Sequence, residues 1–261
     1  EIIKNLVIPD IPQIEQNKKK KILDNKCRKI NSIKADIEKQ IEILGEYKKS
    51  LITETVTKGL DKTVAMKDSG IEWIGNIPEG WEAKQIKFCA EICNGGEYSE
   101  IAVEEGGYPV IGSGGEFAKA SKYCYSGESV LLGRKGTIDK PLYINDSFWC
   151  VDTMFYTKMK DITFAKYLYY CSLNIRFDYY ATSTALPSMT QRDLGSEKIM
   201  LPPYTEQTLI ANYLDTQCSK IDSIIEDKKE QLNKITEHKK SLIYEYVTGK
   251  KRVKGVMNHG N

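Results

Sequence analysis

The 261-residue sequence has only two histidines, His238 and His259, and no pair of cysteines in C-x-x-C spacing. Its seven cysteines, an odd number, are Cys27, Cys89, Cys93, Cys124, Cys150, Cys171 and Cys218. Tetrahedral zinc needs closely spaced ligand pairs, so no metal site is expected. The thiols read as reduced, structural residues of a cytoplasmic protein. Histidine-dependent nucleophilic catalysis also lacks a candidate, because both histidines lie in or beyond the C-terminal helical segment. No run of about 18 apolar residues occurs, so no membrane span is expected. The opening EIIKNLVIPD lacks a basic-then-apolar secretion signal. Charge of either sign is nearly balanced, 38 Lys and Arg against 36 Asp and Glu, and net charge neither favours nor excludes nucleic acid. With 41% hydrophobic and 28% charged residues, a packed core is possible.

What the sequence does have is a repeat. Shifted by 191 residues it matches itself without a gap, 12–59 on 203–250, with 21 identities in 48 positions. The matches include Pro12 with Pro203, Glu15-Gln16 with Glu206-Gln207, Cys27 with Cys218, and 48–52 with 239–243. Two copies so far apart indicate a segment duplicated around an intervening domain rather than a solenoid. Each copy reads as one long helix (12–60 and 203–250), about 60 Å long for 40 residues. Leu23, Ile30, Ile37, Leu44 and Leu51 recur every seven residues, with Ile33 and Tyr47 expected at the second seam position. The other copy gives Leu214, Ile221, Ile235 and Leu242, interrupted by Lys228. Sustained heptads argue for a coiled coil. Gln40 and Gln231 are expected at matching seam positions, where a buried amide would fix register. Proline before each helix and Gly59 and Gly249 after it fit start and stop signals. A membrane-surface helix is the rival reading, but a heptad seam favours a protein partner over a membrane.

Residues 66–202 differ in character and read as one mixed domain of strands and helix. Turn clusters stand at 94–96, 112–115 and 133–136; strands are expected at 129–132, 141–144 and 151–156, and a helix over 164–177. Residues 4–9 resemble 198–202, the strand expected to end this domain, so 1–11 reads as the remnant of a preceding domain. The chain is thus expected to be a fragment or a half-length version of a tandem protein, with 251–261 as a flexible tail.

Several short motifs lead nowhere. Leu201-Pro202-Pro203-Tyr204 resembles the amino-methyltransferase motif, but a leucine cannot accept the bond from the target amine that Asn or Asp accepts there. The stretch 107–113 echoes a phosphate loop yet lacks its lysine, so a glycine turn is the plainer reading. Segment 119–140 is the best nucleic-acid candidate, with Lys119, Lys122, Arg134, Lys135 and Lys140 interleaved with Tyr123 and Tyr125. Basic residues on a glycine-flanked turn can reach base edges or phosphates. Ser183, Thr184, Gln191 and Arg192 offer further polar groups. A solvated hairpin tip and loop remain the alternative. Against DNA binding, 68–196 hold 12 basic and 17 acidic residues, so this domain is expected to bind weakly alone and to need basic partners.

The ordered set 66–75, 77–81, 108–115, 133–137, 185–191 and 201–207 resembles the specificity subunit of type I restriction-modification systems. The resemblance implies one target-recognition domain with two conserved helices packed as an antiparallel coiled coil, an α+β fold. It implies sequence-specific double-stranded DNA recognition, each domain reading half of a split site, without catalytic residues. It implies methyltransferase subunits as partners, holding S-adenosylmethionine, and a motor-nuclease subunit using ATP and Mg²⁺, with no cofactor in this chain. With a single recognition domain, two chains could pair through their helices and read a palindromic site. The candidate DNA contacts are Ser113, Lys119, Lys122, Arg134, Lys135, Thr137, Ser183, Thr184, Gln191 and Arg192. A coiled-coil adaptor whose central domain binds protein is the alternative function.

Overall fold

The computed structural model describes residues 11–177 and 187–251. The expected remnant 1–11 and tail 251–261 lie outside them except for residues 11 and 251. The chain divides into two compact units, one of Glu1–Lys48 with Ser219–Asn261, the other of Lys49–Cys218. Two long helices contribute to both: α1 (Gln13–Lys58) and α5 (Tyr204–Val247). The duplicated sequence repeats the same start. The carbonyl of Pro12 accepts from the amides of Glu15 and Gln16, and that of Pro203 from those of Glu206 and Gln207, at 2.9–3.0 Å. Gly59 and Gly249, with φ of 74° and 76°, take up the left-handed conformation that ends a helix at little cost only in glycine.

In the first unit the helices run antiparallel. Lys48 Nζ donates to both carboxylate oxygens of Asp222 at 2.7 Å, Lys228 Nζ to Gln40 Oε1 at 2.6 Å, and Lys239 Nζ to Asn31 Oδ1 at 2.7 Å. Residue numbers fall along α1 as their partners' rise along α5. The sheltered positions follow alternating steps of three and four: Ile30, Lys34, Ile37, Ile41, Leu44 and Lys48 on α1, and Ile221, Ile225, Lys228, Leu232, Ile235, Lys239 and Leu242 on α5. That spacing is the heptad seam. Of the other expected seam residues, Leu23 is half-buried here, while in the second unit Leu51 is half-buried and Leu214 buried.

The second row of the seam is not where the sequence suggested. Gln40 and Gln231 are exposed, and so are Ile33 and Tyr47, at 48% and 56%. The row instead runs through Lys34, Ile41 and Lys48, one residue further on. A lysine stem lies along apolar surface while its ammonium reaches the rim, so this half of the seam does not look apolar in the sequence.

The second unit is built around a seven-stranded sheet. Its strands are β4 (Ala90–Asn94), β5 (Ala102–Val103), β6 (Tyr108–Gly112), β7 (Gly115–Ala120), β8 (Tyr125–Gly133), β9 (Leu142–Cys150) and β10 (Met154–Met159), in spatial order β4-β10-β8-β9-β6-β7-β5. All pairs are antiparallel except β6 with β9. Val130, Leu131 and Leu132 of β8 are wholly buried, as a continuous apolar run requires of a central strand covered on both faces. Helix α3 (Ala165–Ser172) buries Tyr167 and Leu168 in the main core, and the Tyr167 hydroxyl donates to the Met200 carbonyl at 2.6 Å. It is shorter than the expected 164–177, because Leu173 already caps it.

Two smaller pairings fasten the domain's ends. The first is β1 (Met66–Asp68) with β2 (Asn76–Pro78). The second joins β3 (Glu82–Gln85), which runs into the short helix α2 (Ile86–Cys89), to β11 (Lys198–Leu201) through four registered residue pairs. Between these elements Trp81 is 1% exposed, and its indole N–H donates to Glu206 Oε2 at 3.1 Å. Gln207, fully buried, donates to the carbonyls of Ile162 and Pro202 and accepts from the Phe164 amide at 2.8–2.9 Å.

Candidate nucleic-acid interface

Three loops meet at one end of the sheet. The hairpin 112–115 joins β6 to β7, residues 151–153 join β9 to β10, and 133–137 follow β8. Backbone bonds tie them together. The Val151 amide donates to the Ile111 carbonyl at 3.2 Å, and the amides of Arg134 and Lys135 both donate to the Thr153 carbonyl, at 2.9 and 3.1 Å. A fourth segment closes the group: the Gly136 amide donates to Pro187, the Met189 amide to Arg134, and Lys135 bridges Ser188.

Glycine is required at one point of this junction. A Cβ on Gly133 would come within 2.5 Å of the Ile138 Cα, so only glycine lets the chain fold back there. The turn sets Arg134 on the rim, half-buried, its Nη1 donating to the Asp152 carbonyl at 3.2 Å and its guanidinium 5.8 Å from the centre of the Phe155 ring. These two contacts tether the guanidinium at the rim. Beside it lies an open groove of about 450 Å³ lined by Tyr98, 112–115, Phe117 and 151–153. The rings of Tyr98 and Phe117 meet edge to face at 5.4 Å.

The expected contact residues divide between this junction and other places. Ser113, Arg134, Lys135 and Thr137 belong to the converging loops. Lys119 sits at the opposite end of β7 from the hairpin, 2.6 Å from Glu116, and exposed Lys122 lies beyond that end. Gln191 spends an amide N–H on the Ile92 carbonyl at 2.8 Å. Gln191 and exposed Arg192 open the short helix α4 (Gln191–Ser196). Thr190 and Asp193 cap that helix reciprocally, and the Thr190 hydroxyl, with its backbone amide, holds the Asp193 carboxyl below its usual range. Ser183 and Thr184 lie outside the described residues.

Sequence reasoning missed Asp152, Thr153, Tyr98 and Phe117. Nothing in their local sequence marks them, because only the order of strands in the sheet brings Asp152 and Thr153 to Arg134 and gathers all four around the groove. Asp152 is exposed, and its carboxylate has no bonded partner among the described residues.

Burial pushes the thiols of Cys89, Cys150 and Cys171 up, the wrong direction for a thiolate nucleophile. Among the described residues no group of three or more His, Cys, Asp or Glu is placed to hold a metal ion. No helix there is long and apolar enough to cross a membrane.

The putative type I restriction enzyme MjaX specificity subunit of Methanocaldococcus jannaschii is 28% identical over 97% of this chain and 61% of its own length. The MjaVIII specificity subunit of the same organism is 27% identical over 98% of this chain and 64% of its own length. The chain therefore spans about three-fifths of these curated relatives. In fold it is similar to the HsdS subunit from Thermoanaerobacter tengcongensis, with TM-score 0.58 and 15% identity over 93% of this chain and 60% of that one. It is likewise similar to the type I restriction-modification S subunit from M. genitalium, with TM-score 0.52 and 11% identity over 88% of this chain and 61% of that one. Residues 78–234 match the family model described as the type I restriction modification DNA specificity domain, and the chain belongs to that family.

Proposed function

We propose that this protein reads one half of a split sequence in duplex DNA and docks the methyltransferase subunits that act on it. The observation that carries the reading is the convergence of three loops and the Pro187–Met189 segment at one end of the sheet, with Arg134 and Lys135 on its rim. Loops held by a rigid sheet can present side chains to base edges, while phosphate contacts set orientation. The lobe carries more acid than base, so binding depends on basic partners to hold the phosphate backbone. The chain recognises and does not catalyse. Its methyltransferase partners hold S-adenosylmethionine and supply the transfer, and a motor-nuclease partner uses ATP and Mg²⁺; all of them work in the cytoplasm.

The helix pair supports the docking role. Ile33, Gln40 and Tyr47 on α1, with Ile224, Gln231 and His238 on α5, are all exposed and carry no acid, lysine or arginine. On helices otherwise crowded with charge, such a strip suits helices of a partner. Because each residue of the strip on α1 has its counterpart 191 positions on in α5, the strip offers two equivalent half-sites. Two copies of one partner fit that symmetry. Two chains paired through the same helices would give a palindromic target.

The test is a gel-shift titration of the chain with its methyltransferase partner on host-derived duplexes. We expect a salt-sensitive, sequence-dependent shift beyond that of the methyltransferase alone. Its absence would favour a coiled-coil adaptor whose central domain binds protein.

A further inference from the structure

An exposed acid on a DNA-facing edge needs a reason. Phosphates repel a carboxylate, and the major groove offers it one class of partner, the exocyclic amino groups of cytosine and adenine. Asp152 stands on the edge where the loops converge, with its carboxylate unbonded among the described residues. The guanidinium of Arg134 is anchored beside it, and on the backbone carbonyl of residue 152 rather than on the carboxylate. One N–H is used there, which leaves four for DNA. The edge therefore presents a two-pronged donor next to a lone acceptor.

We infer that Arg134 and Asp152 together read one G·C base pair, Arg134 donating to guanine N7 and O6 and Asp152 accepting from the cytosine N4 amino group. This rests on the DNA-reading function proposed above. The pattern selects the pair. Across its major-groove edge a G·C pair shows two adjacent acceptors and then a donor, whereas an A·T pair places its donor between two acceptors. A fork flanked by one acceptor fits the first order and not the second. The Gly133 turn and the Phe155 ring hold the fork in place, and the neighbouring Gly114 and Gly115, with open space where a Cβ would stand, leave room for a base edge to approach.

The experiment uses the full chain with its methyltransferase subunits on a plasmid library with randomised positions, with modified adenines mapped by sequencing. The wild type should yield a motif containing a G·C pair. Asp152→Ala and Arg134→Ala should each lose preference at that same pair, by about 5- to 100-fold, with other positions unchanged. Asp152→Ala should also bind random duplex more tightly, since a charge repelling phosphate is gone. Should Arg134→Ala fold poorly, Arg134→Lys keeps the charge without the fork and should relax the same position. A wild-type motif without a G·C pair, or variants that relax different positions or none, overturns the inference while leaving DNA reading intact. A wild type with no sequence preference overturns the DNA-reading function itself.

Discussion

Lys48 donates to Asp222 across the helix pair at 2.7 Å, and the same contact recurs 191 residues on, where Lys239 donates to Asn31, also at 2.7 Å. The duplicated segments thus bind each other through equivalent residues, in the manner of a two-fold pair folded into one chain. One difference breaks the symmetry: the acceptor is a carboxylate in one contact and an amide in the other.

Asn31→Asp should restore that symmetry with a second ion pair. The site is exposed, so the gain is small, about 0.2–1 kcal/mol. Thermal melts at low and high salt check this: the gain should shrink as salt rises, and a gain indifferent to salt would mean the ion pair is not its source.

Lys228→Leu should stabilise the helix pair by about 1 kcal/mol, because it replaces a half-buried ammonium with an apolar side chain at a seam position. Gln40→Leu and Gln231→Leu, both exposed, should change stability by less than about 0.5 kcal/mol. Urea unfolding midpoints at constant slope distinguish the cases, and a reversed order would move the seam.

Ile33→Glu and Ile224→Glu should leave the fold intact, each residue being about half exposed. On the docking proposed above, each should remove one of the two half-sites for a methyltransferase. Native mass spectrometry would then show one partner bound instead of two, and the double variant none. Full occupancy in the double variant would place docking elsewhere.

Trp81→Ala should cost about 3–5 kcal/mol, as for other large buried aromatics. Trp81→Phe should cost less but still destabilise, because Glu206 loses its indole donor. Chemical denaturation followed by circular dichroism measures both.

The cap of α4 gives a pH dependence of known sign. Asp193 titrates below its usual value in the folded chain, mainly through the Thr190 hydroxyl. Its contribution is therefore present above the ordinary carboxylate range and is lost as pH falls through the depressed value. Thr190→Val should raise the Asp193 titration midpoint read by NMR and cost about 0.5–2 kcal/mol near neutral pH. It should cost less in acid, where the wild type has lost that contribution too.

How much of this was visible in the sequence follows from which interactions are local. The helices announced themselves because their first seam row carries Leu or Ile at every heptad but the one with Lys228. The second row did not, since Lys34 and Lys48 hide an apolar stem behind a charge while exposed Ile33 and Tyr47 look like core. The turn that carries Arg134 was legible from its flanking glycines. Asp152 was not, because its place beside Arg134 depends on β10 lying between β4 and β8, a long-range pairing that leaves no trace in neighbouring residues. Lys119 and Lys122 looked close to Arg134 in sequence, yet β7 carries them to the far end of the sheet from the converging loops.

The pairing of β3 with β11 joins the place where the chain enters the sheet lobe to the place where it leaves. A lobe stitched shut at its neck behaves as a cassette. Its loops can be rewritten while the two strands that close it keep their register. On the function proposed above, a new target then needs only new loops, since the closed neck keeps the sheet that carries them.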